Sequence, residues 1–148
     1  MSNILVTGSN GQVGSEIKSL HTNFKNYSFI FTDKEELDIC NYSKVREFIA
    51  IYDIKIIINC AAYTEVDKAE EQIELADKIN HLAVKNFASI AKEKNIKLIH
   101  ISTDYVFDGT NYIPYIETDT PNPQSVYGAT KLAGENSLKE INPSNSII

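Results

Sequence analysis

"ILVTGSNGQVGSEI", residues 4 to 17, passes from an apolar run through spaced glycines into a helical pattern. Gly8 permits a tight turn out of a strand. Gly11 lets the backbone approach a pyrophosphate, and Gly14 lets the following helix pack close against a sheet. Asn10, Gln12 and Val13 complete the loop. The helix behind it offers amide donors and a positive dipole end to phosphates. The Gly-Lys-Ser/Thr of a mononucleotide loop is absent. A plain strand-to-helix turn uses the same glycines, so the surrounding sequence has to decide.

Around this stretch, "NILVT" (3–7) reads as a buried strand, followed by "SFIFTD" (28–33), "IKIIINCA" (about 55–61) and "KLIHIST" (97–103). Such β-branched runs suit a parallel sheet covered on both faces. Helical patterns lie between them, at about 12–22, 43–52, 74–94 and 125–140. In the third, Leu75, Ile79, Leu82, Val84, Phe87 and Ile90 approximate one apolar face. The alternation predicts an α/β fold built on a doubly wound parallel sheet. Residues 103–124, with Gly109, Pro114, Pro121 and Pro123, read as a long functional loop. After "INPSN" (141–145) the residues "SII" begin a fifth strand, which predicts one domain of a longer protein.

Asp33 closes the second strand, where a carboxylate can accept hydrogen bonds from an adenosine ribose and so favour NAD. Lys34 beside it would tolerate the 2′-phosphate of NADP. A solvated turn is the plain alternative for Asp33. "NCAAYT" (59–64) ends the third strand. Its small Ala61 and Ala62 allow backbone contact with a cofactor, and Tyr63 and Thr64 would flank it; strand-end packing is the alternative. Leu37, Asp38 and Ile39 are weaker candidates for packing near an adenine. The charge run "VDKAEEQIE" (66–74) reads as a solvated helix face.

The chain has 148 residues, a net charge of −6 and a pI near 5.0. That balance argues against a nucleic-acid or anionic-membrane partner, both of which need a basic surface. Neither a membrane span nor a signal peptide is visible, which predicts a cytoplasmic protein. Cys40 and Cys60 are too few for a disulfide framework. Cys60 reads as a small buried residue and Cys40 as a loop residue. His21, His81 and His100 lack ligand spacing and read as core or surface histidines, so no metal site is expected.

In "SVYGATK" (125–131), Tyr127 and Lys131 stand four residues apart, which stacks them on one helix face. A phenol beside an ammonium is either a surface accident or a tuned proton donor. Thr103 sits at the end of the fourth strand, where ligands bind in open α/β sheets; a strand-end cap is the alternative.

With "TGSNGQVG", "NCAAYTEVDKAE", "ISTDYVFDG" and "VYGATKLAGE" in this order, the chain resembles the extended short-chain dehydrogenases/reductases, of Rossmann-like fold. "GQVG" (11–14) and "STDYVFDG" (102–109) point to the rhamnose-pathway reductases within that family. The resemblance spans essentially the whole chain, as the dinucleotide-binding domain without the C-terminal substrate portion. It implies reduction by NADH or NADPH of the C4 ketone of dTDP-4-dehydro-6-deoxy-L-mannose to dTDP-L-rhamnose. It implies that Tyr127 donates the proton and that Lys131 tunes it and bonds the nicotinamide ribose. Thr103 would bond the substrate carbonyl, and Asp104 would hold the sugar. Asn80 matches a position that supports a proton-relay water, with a helix-surface polar residue as the alternative. Glu16 matches a glutamate that some members use in a magnesium-dependent dimer contact, so Mg2+ and a homodimer enter only as possibilities of the full-length protein. Tyr105 stands where sugar-nucleotide dehydratases need an acid. An epimerase, or a non-catalytic regulatory subunit, remains as an alternative.

Overall fold

The computed structural model describes residues 2–148. Five parallel strands form one sheet: β1 (Ser2–Thr7), β2 (Tyr27–Thr32), β3 (Ile54–Asn59), β4 (Lys97–His100) and β5 (Ser146–Ile147), in the order β2-β1-β3-β4-β5. The order reverses at β1, so β1 and β3 form a topological switch point, the place where open α/β sheets bind ligands. Leu5 and Ile57, fully buried at 0% exposure, are register partners there and anchor the core.

The helices are α1 (Gln12–Leu20), α2 (Tyr42–Ile51), α3 (Val66–Ala69), α4 (Ile73–Asp77), α5 (Ala83–Lys94) and α6 (Val126–Ile141). Asn41 caps α2 by accepting from the Lys44 amide, and Ser125 caps α6 by accepting from Gly128. These are the Asn and Ser side chains that best satisfy a first-turn donor. Asn95, in the left-handed region at φ 53°, ends α5. Val84, Phe87 and Ile90 of α5 are buried against the sheet core.

Several expectations need correction. The continuous helix expected at 74–94 is interrupted: Lys78–Leu82 form a π turn between α4 and α5. The wider turn shifts the helical phase, so Leu75 and Leu82 are exposed instead of extending the Phe87 face. The third and fourth strands stop at Asn59 and His100, before the segments that turn into the ligand-binding end. Cys60 is only half-buried, because it lies just past β3. The charge run at 66–74 is solvated except at Val66, which is partly buried, and Ala69, the fully buried last residue of α3. Among the described residues no helix is long and apolar enough to cross a membrane.

Candidate functional site

The glycine loop is built as its spacing demands. Gly8 adopts φ +63°, and a Cβ there would stand 2.6 Å from the Ala61 amide nitrogen. A Cβ on Gly14 would stand 2.3 Å from the Gly8 carbonyl oxygen. Only glycine allows the β1 end, the β3 end and α1 to approach this closely. Gly11 is the N-cap of α1, with no side-chain cap bond. The first amides of α1 are therefore left for water or a ligand.

The loop forms one wall of a cleft of about 810 Å³ over the switch point. Gly8, Gly11, Gln12 and Val13 line it on one side, Ala61, Ala62 and Thr64 on another. Asp33, Lys34, Leu37, Asp38 and Ile39 line the β2 end, and Tyr127 and Lys131 complete the wall from α6. Asp33 is tied down by the loop: its Oδ2 accepts from the Asn10 amide at 3.0 Å, and its Oδ1 accepts from Lys34 N–H at 2.8 Å. Its carboxylate therefore shapes the glycine loop as well as facing the cleft.

The remaining candidates fall outside the wall. Thr103 caps the short 3₁₀ turn Asp104–Val106, its Oγ1 accepting from Tyr105 N–H at 3.2 Å and donating to Asp104 Oδ1 at 3.3 Å. The hydroxyl does cap, but it caps this turn, three residues beyond the end of β4, at the same end of the sheet as the cleft. Tyr63 turns away from the cleft; its ring joins Ala69, Ala76 and Tyr127 in a second core, and its hydroxyl donates to Gln72 at 3.3 Å. Asn80 is 1% exposed within the π turn, which overturns the helix-surface alternative. Its Oδ1 accepts from Tyr63 N–H at 2.8 Å, and its Nδ2 donates to the Tyr63 carbonyl at 3.1 Å and to Thr130 at 3.2 Å. Glu16 is exposed on α1, and among the described residues no three His, Cys, Asp or Glu side chains are grouped to hold a metal.

Tyr127 is 9% exposed and meets the Tyr105 ring edge-on, with centroids 5.5 Å apart. Gly128 makes this possible, since a Cβ there would lie 2.2 Å from the Tyr105 carbonyl oxygen. Lys131 is almost fully buried, and its Nζ donates to the Ile101 carbonyl at 2.5 Å. Burial lowers its pKa to about 8, opposed by the nearby Glu135 carboxylate.

Sequence reasoning missed several members of the site. Ser102, Cys60 and Lys78 also line the cleft. Ser102 donates to the buried Glu135 at 2.5 Å, which ties the β4 end to α6. Burial raises both the Cys60 and the Cys40 thiol pKa, so neither is primed as a nucleophile. His100 lies 3.4 Å from Lys131 Nζ, deep beneath the cleft. Nothing local in "KLIHIST" marks that histidine.

Residues 1–148 match the family model described as the RmlD substrate binding domain. The dTDP-4-dehydrorhamnose reductase of Escherichia coli (strain K12) is 43% identical over 142 residues, covering 93% of this chain and 47% of that protein. That of Aggregatibacter actinomycetemcomitans is 38% identical over 148 residues, covering 100% of this chain and 50% of that protein. Among solved structures, a dTDP-4-dehydrorhamnose reductase from Clostridium acetobutylicum matches with TM-score 0.92 at 48% identity, over 97% of this chain and 51% of that one. Another from Bacillus anthracis, in complex with NADP, matches with TM-score 0.93 at 39% identity, over 99% of this chain and 52% of that one. The chain spans about half the length of the curated relatives it matches.

Proposed function

We propose that this chain, which belongs to the RmlD substrate binding domain family, is the dinucleotide-binding portion of an NADH- or NADPH-dependent reductase of a dTDP-sugar. The reaction is reduction of the C4 ketone of dTDP-4-dehydro-6-deoxy-L-mannose to dTDP-L-rhamnose. The observation that carries it is one cleft shared by the Gly8–Gly11 phosphate loop and the Tyr127–Lys131 pair. The names of the relatives supply the substrate, and the Bacillus anthracis complex supplies NADP as one cofactor.

The residues present fit such a cofactor, since the cradle beside Gly8 and Gly14 is one that any Cβ would fill. Gly8, Gly11 and the first amides of α1 hold the pyrophosphate. Asp33 receives the adenosine ribose, and exposed Lys34 can meet a 2′-phosphate. The bound reduced nicotinamide supplies the hydride. Tyr127 delivers the proton to the ketone oxygen, with Thr103 bonding the same oxygen and Asp104 holding the sugar. Lys131, one helical turn on along α6 and lining the same cleft, is the cation that attends this transfer, and it also reaches the nicotinamide ribose. Asn80 acts at one remove in this reading, by holding the Tyr63 segment through its side chain. The remaining sugar-nucleotide contacts fall to the half of the relatives' length that this chain does not span.

The test is loss of reduced-nicotinamide absorbance when the protein meets the dTDP-keto sugar, with NADH and NADPH tried separately. Turnover supports the reading. Cofactor binding without turnover in the full-length protein would replace it with a regulatory role, and failure to bind either cofactor would remove it.

A further inference from the structure

A buried polar chain lies under Lys131 and takes part in none of the steps above. Thr7, Asn59 and His100 are the last residues of β1, β3 and β4. Thr7 pairs in register with Asn59, and Asn59 with His100. Register partners point to the same face of a sheet, so the three side chains stand in a row. They are 1%, 0% and 1% exposed. The Thr7 hydroxyl donates to Asn59 Oδ1 at 2.7 Å, and Asn59 Nδ2 lies 3.0 Å from His100 Nδ1. His100 Nε2 lies 3.4 Å from Lys131 Nζ.

The donors in this row are linked. When Asn59 donates to Nδ1, the neutral ring carries its proton on Nε2, facing Nζ. Two donors cannot satisfy each other, so this order fits a neutral Lys131 amine. Turning the Asn59 amide over reverses every bond. The Thr7 oxygen then accepts from the amide, Asn59 Oδ1 accepts from Nδ1–H, and a bare Nε2 accepts from the Lys131 ammonium. Both orders use the same heavy-atom positions, because the amide oxygen and nitrogen are nearly the same size.

We propose that the Thr7–Asn59–His100 row is a tautomeric switch that positions Lys131 in either protonation state, giving the amine a donor and the ammonium an acceptor without a carboxylate in contact. The switch gains its catalytic meaning from the proposed pairing of Lys131 with Tyr127 in the reduction, but its test does not depend on that reading. Burial holds His100 down to a pKa of about 3, so the ring changes tautomer without gaining charge, while Lys131 titrates near 8. The other ionisable groups facing this point are Tyr127 and Glu135, on the same helix as Lys131, and Cys60 just beyond β3. Glu135 is spent on Ser102 and Lys139. The thiol stays protonated because burial raises its pKa.

The experiment is nitrogen NMR of this chain labelled with nitrogen-15 in histidine, from about pH 6 to about pH 10, a span that brackets the Lys131 titration. The His100 proton is expected on Nδ1 at the acid end and on Nε2 at the alkaline end, crossing over with Lys131 near pH 8. Lys131→Met is expected to abolish the crossover. Asn59→Asp, whose carboxylate only accepts, is expected to lock the proton on Nδ1 throughout. A single His100 tautomer across the range in the folded wild type overturns the switch. So does a crossover that survives either substitution. A crossover in a protein without turnover leaves the switch standing and removes only the reductase reading.

Discussion

Asn80 grips both main-chain polar groups of Tyr63, accepting from its N–H at 2.8 Å and donating to its carbonyl at 3.1 Å. The π turn aims the amide across to a segment 17 residues earlier. That grip links the helical layer to the strand end at Ala61 and Ala62, where the cleft wall is made. Gly134 lets α6 close over the same turn, since a Cβ there would meet the Asn80 carbonyl oxygen at 2.4 Å.

Asn80→Leu is therefore expected to leave two buried backbone groups unsatisfied. Orphaned groups cost about 1–3 kcal/mol each, so the loss is roughly 2–6 kcal/mol. Urea unfolding of the variant and wild type measures it. Asn80→Asp keeps the acceptor but sets a second oxygen against the Tyr63 carbonyl and buries a charge, so it is expected to lose at least as much.

Gly8→Ala and Gly14→Ala are expected to weaken dinucleotide binding at least about tenfold, because Cβ atoms at those sites meet backbone that cannot retreat. Gly109 supplies the control. It also has a positive φ, of 72°, but no atom lies within 4 Å of its Cβ position. Gly109→Ala is expected to cost only about 1–2 kcal/mol of backbone strain and to leave binding unchanged. Calorimetric titration with NADPH separates the two cases.

Asp33→Ala is expected to reduce NADH affinity more than NADPH affinity, since in the proposed reading the carboxylate would accept from a free 2′-hydroxyl and repel a 2′-phosphate. Both affinities are expected to fall somewhat, because Asp33 also holds the Asn10 amide of the glycine loop. Equal losses for the two cofactors would show that loop support is the whole of its role.

His100 and Lys131 give stability opposite ends of a pH dependence. The folded pKa of His100, about 3, lies below the ordinary 6.5, so unfolded chain takes up the proton first as pH falls. Its contribution is complete above pH 6.5 and is lost toward pH 3, by up to about 5 kcal/mol. Lys131 drops from 10.5 to about 8 on folding, so the folded state is penalised at and below pH 8 and relieved as pH rises toward 10.5. That penalty is about 3 kcal/mol. His100→Gln is expected to flatten the acid side of the stability curve and Lys131→Met the alkaline side, as read by urea unfolding at a series of pH values.

The glycine loop, Asp33 and the Tyr127–Lys131 spacing were legible because each is local: a strand end, a turn, one helix face. The first four strands were legible from their apolar runs, and the fifth, Ser146–Ile147, from the "SII" that follows "INPSN". The π turn was not, since one widened turn leaves no mark in composition and only displaces Leu75 and Leu82 from their expected face. The Thr7–Asn59–His100 row was not legible either. Its members are 52 and 41 positions apart, and only the parallel register of β1, β3 and β4 brings them together. Tyr63 was misplaced beside the cleft because the rotation of the chain beyond β3 is set by the Asn80 grip, a contact no nearby residue announces.

The proposed reduction turns on Tyr127 giving up its proton at the end of the cleft. The direct test is turnover and NADPH affinity of Tyr127→Phe in the full-length protein, measured side by side with wild type. The expected result is a fall in kcat of at least about a hundredfold, the usual worth of a positioned acid, with cofactor affinity nearly unchanged. Wild-type turnover in the variant would contradict it.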